Sequence, residues 1–250
     1  MVREVREILH GTDWCEVILC ERPENLGLGR SVRAGVTSVL EKHDAALIFE
    51  DDLICVPGTY AYLSAALEHY QNDTQVMSVT GWTHPSVTPD NITLDPYFDG
   101  RAECWVWGTW ARAWTGMHRS ARELLAECKA RHIDVYRYGA DLPAMAEIEL
   151  ARNIWAVRWL YLHILRGGLC FRPPHTLVEH IGFDSLATNA TDGRQWSNPP
   201  LEACPAIPNQ WPEPIENSQC ASLWKQAYGG RPSWPRRLRR KLRQTLSRWI

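Results

Sequence analysis

Three consecutive carboxylates, Glu50-Asp51-Asp52, follow the apolar run Ala45-Ala-Leu-Ile-Phe49. Adjacent acids repel one another and resist leaving water. Their chemistry therefore calls for a hard cation or a ring of ligand hydroxyls, with a solvated acidic loop as the plain alternative. Asp52, last in the triplet, is the natural direct ligand of Mn2+ or Mg2+, which leaves Glu50 and Asp51 for hydroxyl groups. Such an ion needs few protein ligands when other oxygens and water complete its shell.

The elements that must position these acids follow from pattern. Ala45–Phe49 is short, continuously apolar and set off by the polar Glu41–Asp44, which predicts a strand buried on both faces of a mostly parallel sheet. Ligands collect at the C-terminal ends of such strands. Upstream, Arg3–Leu9 reads as a helix and Glu16-Val-Ile-Leu-Cys20 as a strand. A turn-rich loop with Pro23, Asn25, Gly27 and Gly29 then precedes Ser31, a helix cap for the run through Val32, Val36, Val39 and Leu40. Strand, helix and strand would form a right-handed βαβ unit.

Downstream, Pro57 can enter a helix with Tyr60, Leu63, Leu67 and Tyr70 on one face, and Gln75–Thr80 reads as a strand. Thr83–Gly100 reads as a long loop. Trp105 and Trp107 keep strand phase whereas Trp107, Trp110 and Trp114 keep helical phase, with Gly108 as the hinge. Ser120 and Glu123 form a capping box for a helix to about Arg131. One helix is expected over Leu142–Arg166, stopping at Gly167-Gly168, then a strand at Leu169–Arg172 and a loop from Pro173 to Asp184.

With 250 residues and 45% apolar content, the chain can build one large domain with additions. Its expected divisions are 1–185, a Pro-rich surface arm over 186–230, and a tail over 231–250. The eight cysteines include no C-x-x-C pair, so neither a zinc site nor a thioredoxin-like motif is indicated. No run of about 18 apolar residues occurs. With no secretory signal recognised, reduced thiols and a cytoplasmic location are expected, and the acceptor pattern Asn189-Ala-Thr191 is discounted for N-glycosylation. Thirteen tryptophans are far above ordinary usage, and many lie near glycine, proline or charge, where indoles stack on sugars or line interfaces as well as fill cores.

The net charge of −2 hides a split. Residues 231–250 carry seven arginines, one lysine and no acid, leaving the tail +8 and the remainder −10. Leu238, Leu242, Leu246 and Trp249 fall on one helical stripe among these arginines, the pattern of a helix lying on anionic lipid. That places the protein peripherally at the inner face of a membrane. A nucleic-acid arm is the weaker rival, leaving no nucleic acid among the expected partners, and a solvated charged helix is the plain alternative.

Sugar transfer from a nucleotide donor asks for a divalent ion on the diphosphate, groups on the sugar hydroxyls, a base for the acceptor hydroxyl and a covered pocket. In order, Asn25-Leu-Gly-Leu-Gly-Arg30, Phe49-Glu-Asp-Asp-Leu53, Val79-Thr-Gly81, Trp107-Gly-Thr-Trp110, Trp155-Ala-Val-Arg-Trp159 and His180-Ile-Gly-Phe-Asp184 resemble bacterial GT-A glycosyltransferases. These are related to the N-acetylglucosaminyltransferase I family, whose metal motif is also Glu-Asp-Asp. The likeness spans about residues 2–185. It implies an α/β fold with a GT-A-like, Rossmann-like mixed sheet flanked by helices, followed by the extended arm and basic amphipathic helix. It also implies an inverting, metal-dependent transferase that uses a nucleoside-diphosphate sugar, often a UDP-sugar, and a glycan, lipid-linked or other surface-polysaccharide acceptor. By the same likeness Asp52 binds the Mn2+ or Mg2+, Glu50 and Asp51 the donor, and Asn25, Gly27 and Arg30 the nucleotide. Trp107 and Gly108 stand beside the sugar and acceptor.

Two departures accompany the likeness. Such folds usually begin with a strand and helix that grip the nucleobase, and this chain is expected to lack them, through a misassigned start, a split gene or a reduced form completed by a partner. A degenerate transferase serving as a scaffold is the corresponding alternative function. Where the related family has acids after the tryptophan matched by Trp155, this chain has Ala156 and Val157. Candidates for the base are then Asp184 first, with Glu149, Glu147 and Asp141 behind it. His180 is a candidate second metal ligand or a loop hydrogen-bonder, and Arg30 a diphosphate partner or an ordinary surface arginine.

Overall fold

The computed structural model describes residues 2–182, 196 and 198–230. Asp184, the Asn189–Thr191 pattern and the basic tail lie outside the described residues. In chain order the elements are α1 (Val2–His10), α2 (Leu28–Leu40), β1 (Ala45–Ile48), β2 (Leu53–Cys55), α3 (Thr59–His69), β3 (Val76–Thr80), β4 (Tyr97–Asp99) and β5 (Trp107–Trp110). They continue with α4 (Ala111–Trp114), α5 (Ala121–Ala130), α6 (Leu142–Arg152), α7 (Ala156–Arg166), β6 (Leu169–Arg172), β7 (Val178–His180) and α8 (Cys220–Tyr228). No described helix is long and apolar enough to cross a membrane.

The molecule is mixed α/β. Five strands in the order β1-β5-β3-β6-β4 form one sheet, and β2 with β7 form a second, antiparallel pair. Only β3 and β6 run parallel; the other neighbours in the large sheet are antiparallel. Helices cover both faces. One core joins Tyr62 and Leu63 of α3 to Val79, Phe98 and Phe171. The other gathers Trp107, Trp114, Trp155 and Trp159 with the buried faces of α5, α6 and α7. Alternation along β1 sends Leu47 to the first core and Ile48 to the second, as strand geometry requires.

Several local expectations hold for their stated reasons. Ser120 and Glu123 cap α5 reciprocally, and Gly167 ends α7 in the left-handed conformation. Others fail instructively. β1 is half-buried at the sheet edge and pairs only with β5, rather than lying buried in a mostly parallel sheet. Glu16–Cys20 forms no strand: its side chains are largely exposed, and β-branched residues hold a strand only when a neighbour packs and pairs with them. The βαβ unit is therefore absent. Ser31 lies inside α2, which begins after Gly27. Leu142–Arg166 is two helices because Asn153 adopts φ 53°, breaking the run.

Strands β4 and β7 occupy stretches read as loops, since a three-residue strand carries too little periodicity to see. The segment expected as a surface arm also enters the core. Trp211 stacks on His69 at 5.1 Å, and α8 buries Cys220 and Trp224.

Candidate functional site

The acids sit in a turn held from two sides. Beyond β1, the Leu53 amide donates to the Glu50 carbonyl (3.3 Å), closing a turn through Asp51 and Asp52. β2 then pairs with β7, setting Leu53 opposite His180, and the Ile181 amide donates to the Asp52 carbonyl at 2.9 Å. One flank of the turn thus hangs from the large sheet and the other from the small one. Gly182 completes the fit, because a Cβ there would collide with the Asp52 carboxylate.

His180 reinforces Asp52. Its backbone is bracketed by Asn198, whose Oδ1 accepts from the His180 amide (2.9 Å) and whose Nδ2 donates to the His180 carbonyl (2.7 Å). The Gly182 amide donates to Nδ1 at 3.1 Å, so the neutral ring carries its proton on Nε2, 3.5 Å from Asp52 Oδ2. A protonated Nε2 is not a metal ligand. The expected second ligand is instead, in this geometry, a residue that positions Asp52. Burial lowers the His180 pKa, against the opposing pull of Asp52, consistent with that neutral form.

Among the described residues no lysine or arginine pairs with the acids of the turn. Burial first, then Asp52 and Asp51, push the Glu50 carboxyl up to about 7. Asp52 Oδ1 is buried and accepts no hydrogen bond. Among the described residues no group of three or more His, Cys, Asp or Glu side chains converges on a metal position. The residues present fit an ion held by one carboxylate and completed by ligand oxygens and water, with the orphaned Oδ1 as the observation that supports the fit.

The other expected site residues separate into groups. Asn25 Oδ1 accepts from the Gly27 amide (2.7 Å), and Gly27, at φ 69°, turns the chain into α2. Arg30 is exposed, its Nε donating to the Leu26 carbonyl at 3.1 Å. Trp107 is fully buried, with its ring centroid 5.0 Å from Trp155 and 5.6 Å from Trp159. Its ring has no surface for a sugar. Gly108 is no hinge but mid-strand, where a Cβ would meet Leu47 at 2.6 Å and Leu67 and Val79 at 3.0 Å. Both residues serve the core because the strand here is buried on both faces.

The described acids proposed as bases are all paired, Glu149 in the interior, Asp141 partly buried and Glu147 at the surface. Glu149 is 3% exposed, accepts from Arg158 Nε at 2.7 Å and receives the Ala121 amide at 3.3 Å. Glu147 pairs with Arg122 at 2.8 Å and Asp141 with Arg101 at 3.0 Å. The fourth candidate, Asp184, lies outside the described residues.

Sequence reasoning missed Trp105, Gly182 and Asn198. Trp105 packs on His180 with ring centroids 4.5 Å apart. The tryptophan signal was visible, but Trp105 and Trp107 shared one phase in the pattern. Val106 at φ 44°, rare for a β-branched residue, breaks that phase and separates Trp105 from the core strand. Compared with known proteins, the chain matches no family model and no curated protein sequence.

Proposed function

We propose that this chain is an inverting, metal-dependent glycosyltransferase of GT-A type, moving a sugar from a nucleoside-diphosphate donor, UDP foremost, to a glycan, lipid-linked or other surface-polysaccharide acceptor. The observation that carries the reading is the uncompensated acid turn: Glu50 pushed up to about 7 beside an Asp52 oxygen that is buried and unpartnered. A ligand that brings positive charge and hydroxyls relieves both conditions.

In this reading Asp52 would hold Mn2+ or Mg2+, an ion that would supply positive charge to the donor diphosphate. His180 and Gly182 fix the carboxylate, so its direction is set before the donor arrives. Glu50 and Asp51 receive donor hydroxyls, and Asn25 and Gly27 border the nucleotide. Asp184 is the proposed base for the acceptor hydroxyl, Glu149 being taken up by Arg158. The basic tail holds the enzyme to anionic lipid at the inner membrane face.

The test is Mn2+-dependent binding and slow hydrolysis of UDP-sugars by the full chain. Asp52→Ala should reduce hydrolysis at least about 100-fold while the protein stays folded. Unchanged hydrolysis in that variant would refute the metal assignment. A second reading, a transferase-like binding module completed by a partner, draws on the edge position of β1. Thermal-shift titration with UDP and Mn2+ separates the two, since a module without donor recognition shows no stabilisation at millimolar ligand.

A further inference from the structure

A groove of 770 Å³ lies between α2 and the segment Ala111–His118. The Ala111 amide donates to the Asp44 carbonyl (2.8 Å), so the end of the groove formed by Leu40, Glu41 and Ala111 adjoins the start of β1, whereas the acids follow that strand's other end. Its volume is that of a small-molecule site.

The groove is built before any ligand arrives. Trp114 Nε1 donates to Thr37 Oγ1 at 2.9 Å, tying one wall to the other. Arg158 Nη1 donates to the Met117 and His118 carbonyls, each at 3.3 Å, and Arg166 donates to the Ala113 and Thr115 carbonyls. Gly116, at φ 99°, makes the bend these arginines hold.

Leu26, Leu40, Trp114 and Met117 give the groove an apolar floor. Two guanidinium groups stand at its rim: Arg30 and Arg33 lie one turn apart on α2, and Glu41 is the one acid among the lining residues. Neither Arg30 nor Arg33 forms an ion pair among the described residues. Burial, then the charge of Arg158, lowers the Arg33 pKa, with Glu149 opposing, which marks positive charge not fully balanced. An apolar trough edged by two unpaired guanidinium groups complements an anion joined to an apolar chain.

We infer that this groove binds a single-chain alkyl phosphate, with Arg30 and Arg33 on the head group and the chain along Leu40, Trp114 and Met117. The probe is dodecyl phosphate below its micellar concentration, titrated calorimetrically into the full chain. Binding in the range of roughly 1–50 µM is expected, with dodecanol and inorganic phosphate each at least about tenfold weaker. Arg33→Ala should weaken binding about tenfold. Ala34→Trp, at an exposed helix position, should fill the groove and abolish binding while leaving the urea denaturation midpoint unchanged.

The basic tail is present in both proteins, so binding that survives Ala34→Trp belongs to the tail and overturns the inference. Equal affinity for dodecanol, or displacement of the probe by equimolar UDP, overturns it as well. Failure of the glycosyltransferase reading leaves these outcomes untouched, because the readout involves neither metal nor sugar.

Discussion

Two groups of acids in this protein are treated in opposite ways. Asp99, Glu103 and Asp141 sit in a network with Arg101 and Arg172. There Arg172 lies 3.0 Å from Asp99 and 3.4 Å from Glu103, Arg101 lies 3.0 Å from Asp141, and Trp224 Nε1 donates to Asp99 at 2.7 Å. Although burial works against its charge, Asp99 holds the Arg172 guanidinium above its ordinary pKa. Burial raises Asp99 and Glu103 too, but Arg172 pulls both back down. Glu50, Asp51 and Asp52 have no guanidinium among their described ion-pair partners, so burial and mutual repulsion raise Glu50 with no cation opposing them. Where charge is balanced from within, acids specify the fold; where it is left unbalanced at a loop, the balance is open to a ligand.

The comparison breaks first at its balanced member. Arg172→Met leaves Asp99 and Glu103 buried without their cation, and urea denaturation should show a loss of about 3–5 kcal/mol. A loss below about 1 kcal/mol would mean that the network is not holding the fold. Next comes a pH effect from the core. His163, buried against Ser78 Oγ at 2.9 Å, is lowered by burial to about 3. The unfolded chain therefore binds the extra proton below about pH 6.5, and stability should fall with decreasing pH by up to about 1.4 kcal/mol per unit. His163→Gln should flatten that slope, read by urea midpoints from pH 4 to 7.

Glu50 has the opposite sign. Its folded pKa lies above the unfolded value, so its protonated form favours the fold below about pH 4.5, and that contribution is lost as pH rises to about 7. Glu50→Gln should stabilise the metal-free protein by about 2 kcal/mol at pH 8, allowing for partial exposure, and by almost nothing at pH 4. An equal gain at both pH values would show that repulsion in the turn is not the cause. The smallest effect belongs to Asp52→Ala, expected at pH 5, where Glu50 is protonated, to shift stability by no more than about 0.5 kcal/mol because among the described residues its carboxylate meets only the neutral His180 ring. A shift of several kcal/mol would make the turn structural and erase the contrast.

Legibility followed the range of the interactions involved. The α5 cap, the Gly167 stop and the β3 and β6 strands rest on neighbours within a few residues, and each was readable. Glu16–Cys20 has every local mark of a strand, yet nothing along the chain states whether an edge exists to receive it. Trp107 and Trp105 illustrate the same limit at the site. Both are tryptophans flanking Val106, but one lies in the core and the other against His180, and the backbone at Val106 separates their roles.

That three acids emerge at the end of an apolar strand follows from the composition and order of Ala45–Asp52 alone. Their surroundings come from packing between distant segments. Pairing of β2 with β7 brings His180 and Gly182 onto Asp52 from more than a hundred residues away, and long-range pairing is set by which edges and faces remain to be buried. The same packing gave Glu149 to Arg158 and Trp107 to the core, because a buried carboxylate needs a cation and a buried strand needs side chains on both faces.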